Sequence, residues 1–254
     1  MSDRDDLHGI VLAAGIGSRM GYLGNLLPKF LLPVAGKPLI WYALSALASI
    51  GTTDVTIVVR QKAPLIHRYL AAADVAALGL GDVRVKTLTR PTRNPVESLL
   101  KAVSGIPRDL AVTEGDSFTY ANDLAAMRQL FKRLRPRVLS LAVEDPDPDS
   151  IRRACEVVPG PRHLVAAIHE KPRRPRSRLR GCGLYLFRGS AFRSLVREAR
   201  TRAPIQCLPD LVATATRDGT AAYFQTRGRN INVNTLADLK AAWAVVEDVD
   251  QMPL

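Results

Sequence analysis

Short β-rich runs alternate with longer helical patterns through the first half of the chain, and this rhythm limits the fold more than any other feature. A strand that must pass through a helix before the next strand returns parallel, so the pattern predicts βαβ units around a parallel sheet. Strands are expected near Gly9–Ala13, Asp54–Val59, Val83–Thr89 and Leu110–Val112. Helices are expected near Pro38–Ile50, Pro64–Ala73, Pro95–Val103 and Ala121–Leu134. From about Arg137 the sequence turns strand-rich, in VLSLAVE, ACEVV, HLVAAIHE and GLYLF. Helical stretches near Ser190–Arg200 and Leu208–Thr216, the run AAYFQTR and a last helix near Leu236–Val246 follow. The fold class is α/β: a Rossmann-like mixed, mostly parallel sheet flanked by helices, with a strand-rich second half. No repeat or linker divides the 254 residues, so a single domain over 1–254 is expected, with halves of about 1–136 and 137–254. The C-terminus carries no hexapeptide periodicity of a left-handed β-helix.

The formal net charge of +12, with arginine far commoner than lysine, suits an anionic partner: nucleic acid, an anionic membrane surface or a phosphorylated substrate. Genome composition would produce the same excess. No window approaches eighteen uninterrupted apolar residues and the start, MSDRDDLHG, is acidic, so neither a membrane span nor an export leader is expected. Cys155, Cys182 and Cys207 stand far apart without metal or disulfide spacing, and a reducing cytoplasm is the expected location. His8, His67, His163 and His169 show no metal spacing either.

The first predicted strand ends in LAAGIGSRM, and PKFLLPVAGKPLI follows. A glycine turn at a strand end lets backbone N–H groups approach a ligand, and amides exposed there favour phosphate. Arg19 adds a fork suited to phosphate oxygens and Lys29 a compact charge. Alone, Gly15-Ile16-Gly17 is neither a Walker A loop nor a full dinucleotide fingerprint. The two segments in this order resemble the signature of the sugar-1-phosphate nucleotidylyltransferase superfamily. The resemblance implies a nucleotidyltransferase with a nucleotide-binding first half and an acceptor-binding second half. It would join a nucleoside triphosphate to a sugar 1-phosphate or similar phosphorylated polyol, release pyrophosphate and use Mg2+ or another divalent cation. It also implies roles in triphosphate binding and catalysis for Arg19 and Lys29, with Ala13, Ala14, Gly15, Gly17 and Ser18 around the nucleotide.

The same likeness carries to four further segments. In DLAVTEGDSFTYAND, Asp116 matches the family's metal-binding aspartate after a strand, with Glu114 as the nearby rival. NINVNTLADLKAA occupies the late segment that holds a second aspartate in many relatives. Here asparagines stand at 232 and 234, and Asn234 is the expected ligand with Asn232 beside it, unless one or both cap the helix that follows. Asn94 and Ser98 in TRNPVESLLKAV match base and ribose contacts, although Glu97 and Ser98 equally suit a helix first turn. Glu170 and Lys171 in HEKP, with Gly183 in GLYLF, match the sugar-phosphate site. Arg173, Arg174, Arg176, Arg178 and Arg180 form a basic run whose role stays open: steering, a polyanion, a partner subunit or a solvated loop. Sparse aromatics make nucleic acid an unexpected partner, and homo-oligomerisation is left open. Inositol 1-phosphate or phosphocholine with CTP is the rival acceptor class, and a non-catalytic nucleotide-binding regulator is the rival outside enzymes.

Overall fold

The computed structural model describes residues 7–15, 18–59, 63–72, 80, 83–89, 92, 94–103, 106 and 108–250. The first half holds β1 (Leu7–Ala13), α1 (Tyr22–Leu26), a two-residue ladder of β2 (Pro33–Val34) with β3 (Lys37–Pro38), and α2 (Leu39–Ile50). It continues with β4 (Asp54–Val59), α3 (Ala63–Ala72), β5 (Arg84–Thr89), α4 (Pro95–Ala102), β6 (Asp109–Glu114), β7 (Ser117–Tyr120) and α5 (Leu124–Leu134). The second half holds β8 (Val138–Glu144), α6 (Pro148–Arg152), β9 (Cys155–Pro159), β10 (Val165–Glu170) and β11 (Leu179–Phe187). After these come α7 (Gly189–Arg200), α8 (Leu208–Thr216), β12 (Ala221–Thr226), β13 (Arg229–Asn232) and α9 (Leu236–Asp250).

The expected βαβ units are present. Strand β1 pairs parallel with β4 and β6, and β4 pairs parallel with β5. All seven residues of β1 are buried, as a central strand covered on both faces requires. Along α2, Ile40, Ala43, Leu44 and Leu47 recur at helical intervals on the face that packs into the core. Gly51 ends that helix at φ 86°, where a side chain would be strained, and its N–H closes on the Ala48 and Leu47 carbonyls.

Strand β11 joins the halves: it runs antiparallel to β6 on one side and to β8 on the other, and β12 then pairs parallel with β8. Its first residues also meet β9, which pairs antiparallel with β10, so a small flap leaves the sheet beside the ends of β1 and β6. The pairing of β11 with β8 shifts register between Gly181 and Tyr185, and Gly183 sits at φ 68° inside that shift. Among the described residues, no helix is long and apolar enough to cross a membrane.

Two expectations need correction. The helix expected from Ala121 begins at Leu124, because Ser117–Tyr120 forms β7 and pairs antiparallel with β13. The last helix runs to Asp250 rather than Val246. The β7–β13 ladder is a contact between residues more than a hundred positions apart, and local propensity carries no signal for it.

Candidate active site

A cleft of about 680 Å³ opens along the C-terminal ends of β1 and β6 and under the β9–β10 flap. This is the edge of an open α/β sheet where ligands ordinarily bind. Its near end gathers residues from three distant stretches. Lys29 starts a short 3₁₀ turn, is 7% exposed, and donates to the Asp116 carboxylate and, at 3.2 Å, to Asn234 Oδ1. Arg19 donates to the same Asn234 oxygen at 2.8 Å.

Backbone contacts fix that geometry. The Gly115 N–H donates to the Leu12 carbonyl at 2.9 Å, and a Cβ on Gly115 would lie 3.0 Å from that of Ala13. The missing side chain therefore lets the Glu114-Gly115-Asp116 turn lie against the end of β1. The Val233 N–H donates to the Asp116 carbonyl at 3.0 Å, so the late asparagine segment is tied to the same turn. Thr235 and Asp238 form the reciprocal cap of α9: the Asp238 carboxylate accepts from the Thr235 N–H at 2.8 Å, and the Asp238 N–H donates to Thr235 Oγ1 at 3.2 Å. The helix is capped by Thr235, so neither asparagine is needed as a cap. The amide oxygen of Asn234 faces Lys29 and Arg19, and that of Asn232 is buried without a hydrogen-bond partner among the described residues.

Ala13, Ala14 and Gly15 line the cleft beside these groups, and among the described residues nothing lies within 4 Å of where a Gly15 side chain would start. Ser18 opens the 3₁₀ turn Ser18–Met20, while Gly17 lies outside the described residues. Asn94 and Ser98 line the adjoining wall but are engaged locally. Asn94 caps α4 by accepting from the Glu97 N–H at 2.8 Å, and the buried Ser98 hydroxyl shares a 2.6 Å hydrogen bond with Thr92.

The far end holds Glu170 and Lys171, and Gly183, Arg153, Gln206 and Cys207 also line the cleft. Lys171 pairs with Glu170 at 3.5 Å and sits at φ 48°, a left-handed conformation that a lysine adopts at a cost of about 1–2 kcal/mol. Burial raises the Glu170 carboxyl above its ordinary range, and Lys171 opposes that rise. Glu114 stands between the two ends. Burial, then the like charges of Asp116 and Glu170, push its carboxyl up to about 8 against the attraction of Lys29 and Lys171.

Several cleft residues carry no site signal in the sequence: Tyr185, Arg153, Gln206 and the two cysteines, Cys155 and Cys207. Tyr185 belongs to the GLYLF segment quoted above, so the sequence marks its neighbourhood but not its side chain. Burial, and for Cys207 the charge of Asp210, push the Cys182 and Cys207 thiols up to about 12, and burial raises Cys155 well above its ordinary value. Thiolates are therefore scarce at pH 8, and Ellman's reagent should label the native protein about a hundredfold more slowly than the urea-unfolded chain. Rapid labelling of any one thiol in the native state would contradict this burial.

Most of the basic run is exposed, but Arg180 is not part of that surface. It is 7% exposed and donates to Asp145 at 2.7 Å, to Asn230 Oδ1 at 3.0 Å and to the Asn230 carbonyl at 2.6 Å.

A model of the MobA-like NTP transferase domain matches residues 9–181, which take in Arg19, Lys29, Asp116, Glu170 and Lys171. The chain belongs to that family. A glucose-1-phosphate thymidylyltransferase of Streptomyces antibioticus is 31% identical over 180 residues, which are 70% of this chain and 48% of that protein. A CMP-5'-(3-aminopropyl)phosphonate synthase of Streptomyces rubellomurinus is 32% identical over 117 residues, 45% of this chain and 18% of that protein. The chain thus spans about half the length, or less, of these curated relatives. The crystal structure of a UDP-glucose pyrophosphorylase complexed with UDP-glucose shares the fold of this NTP transferase domain. The TM-score is 0.80 at 16% identity, over 96% of this chain and 99% of that one.

Proposed function

We propose that the chain transfers a nucleoside monophosphate from a nucleoside triphosphate to the phosphate of a sugar 1-phosphate or similarly small phosphorylated acceptor, releasing pyrophosphate. The observation that carries this reading is the meeting of Arg19, Lys29, Asp116 and Asn234 at one end of a cleft whose other end presents Glu170 and Lys171. Two cations from the glycine-loop segment suit a triphosphate, and a third at the opposite end suits the phosphate of an acceptor. An acceptor phosphate oxygen would attack the α-phosphorus in line, with pyrophosphate leaving toward Arg19 and Lys29. Its own oxygen is the nucleophile, so no serine or histidine base is required. Positioning and charge carry the catalysis.

The donor set at the near end fits a divalent hard cation. Asp116 supplies a carboxylate, Asn234 an amide oxygen already turned toward positive groups, and Asn232 a buried amide oxygen without a partner among the described residues. Such an ion, when bound, would screen the triphosphate charge and polarise the α-phosphate. With one carboxylate rather than two, the site should hold magnesium more weakly than a two-aspartate site. We also assign residues 1–136 chiefly to the nucleotide and 137–254 chiefly to the acceptor, within one domain. A cytoplasmic location is supported by three free cysteines.

The relative whose name specifies a CMP-phosphonate supports including phosphonates and CTP in the test. Pyrophosphate release should be measured with magnesium and CTP, UTP, GTP, dTTP and ATP separately. Each is paired with hexose 1-phosphates, N-acetylglucosamine 1-phosphate, inositol 1-phosphate, phosphocholine and 3-aminopropylphosphonate. At least one pair is expected to turn over. Tight nucleotide binding with silence across the grid would replace the enzyme reading by that of a nucleotide-binding regulator.

A further inference from the structure

A carboxylate that does not line the cleft holds the segment that forms one end of it. Glu156 lies on β9, is 1% exposed, and is not among the described residues that line the cleft. Its Oε1 accepts from the backbone N–H groups of Arg176 and of Ser177, the latter at 2.6 Å. Its Oε2 is buried without a hydrogen-bond partner among the described residues. A buried carboxylate that gives one oxygen to two main-chain donors anchors the segment that carries them.

That segment is the connection from β10 to β11, KPRRPRSR, which starts at Lys171. Lys171 lines the cleft and sits at φ 48°, and a residue with a side chain keeps such a conformation only where its surroundings fix it. Two attachments to the β9 segment do so. The Lys171 N–H donates to the Ala154 carbonyl at 2.7 Å, and Glu156 holds the chain again at Arg176 and Ser177. Between these attachments Pro172 and Pro175 have a fixed φ and no N–H, so only Arg173 and Arg174 are left to absorb a displacement. The Arg178 carbonyl then accepts from the Asp145 N–H at 2.8 Å, which fixes the end that leads into β11. A shift at Arg176 is therefore passed back toward Lys171.

We propose that Glu156 is a positioning residue: through the β10–β11 connection it holds Lys171 in its strained conformation, and so sets the affinity for the acceptor phosphate without touching it. Reach matters here rather than charge, because a single oxygen, Oε1, accepts both N–H groups. Glu156→Gln keeps that oxygen within reach, whereas Glu156→Asp draws it back by one methylene. The inference rests on the nucleotidyl-transfer reading above and adds to it a residue outside the cleft lining.

The test uses the whole chain with magnesium and the triphosphate and acceptor pairs named above. With the pair that turns over, Glu156→Asp should raise KM for the acceptor at least fivefold while kcat and KM for the triphosphate stay within twofold. Glu156→Gln should keep all three within twofold of wild type. Limited trypsin digestion with mass mapping reads the connection itself: cleavage after Arg173 and Arg176 should be at least tenfold faster in Glu156→Asp than in wild type or Glu156→Gln. A merely structural Glu156 would lower Tm without this split between the two KM values. An unchanged acceptor KM in Glu156→Asp, an equal rise in both KM values, unchanged cleavage, or equal impairment of Glu156→Gln each overturns the inference and leaves nucleotidyl transfer standing. Silence of wild type with every pair overturns the transfer reading and this inference with it. Should Glu156→Asp fail to fold, Glu156→Gln still separates reach from charge, and an acceptor KM raised more than twofold in that variant overturns the inference.

Discussion

Replacing Lys29 with alanine should lower kcat by about a thousandfold while leaving the fold intact, the scale expected when a preorganised charge is removed from a developing anionic transition state. The ammonium lies in a slot 7% exposed, between Asp116 and Asn234, so no water-borne cation of fixed position replaces it. Lys29→Arg should rescue little, because a planar guanidinium cannot occupy the place of a compact ammonium between two oxygen ligands. Asp116→Ala should abolish turnover as well, and by a distinguishable route: raising the magnesium concentration should recover part of the activity of Asp116→Asn but none of that of Lys29→Ala. Initial rates across a magnesium series, with far-ultraviolet circular dichroism as the fold control, separate the two. Full activity in either alanine variant would refute the assignment of that residue.

Much of this site is legible in the sequence because its parts are local. The glycine loop, Lys29 beside its proline, the EGD turn and HEKP are each short stretches whose chemistry is contained within a few residues, and the fold places all of them on one cleft. What is not legible depends on long-range contact. The β7–β13 ladder decides where Asn232 and Asn234 arrive, and it links residue 117 to residue 232. From sequence, Asn234 is the expected ligand and Asn232 is equally a ligand or a cap; in the structure Thr235 and Asp238 form the cap, and the Asn234 oxygen meets Lys29. In the sequence Glu114 stands only as a rival to Asp116, since its position against Gly183 depends on a register shift in a strand of the other half.

Arg180 shows the same limit in a residue that charge patterning alone assigns to the surface. Arg180→Leu should destabilise the protein by about 3–5 kcal/mol, a fall of about 10 °C in Tm, because it strands a partly buried Asp145 and the Asn230 oxygen. Arg174→Ala, on the exposed part of the same run, should change stability by less than about 0.5 kcal/mol. Burial works against the charged form of Asp145, but hydrogen bonds from Arg180 and Ser150 prevail and hold its carboxyl below the ordinary range. A depressed carboxyl stabilises the fold above its unfolded pKa, so the gap between wild type and Arg180→Leu should be full at pH 7 and narrow as the pH falls below about 4. The damage should also reach the site. Asn230 donates to Ser117 at 2.8 Å and Thr119 at 3.0 Å, so Arg180 anchors the ladder that carries Asn232 and Asn234 to Asp116. At a temperature where the variant is folded, its turnover should therefore require more magnesium than wild type. A variant with lowered Tm but an unchanged magnesium requirement would mean that β13 holds its asparagines in place without Arg180.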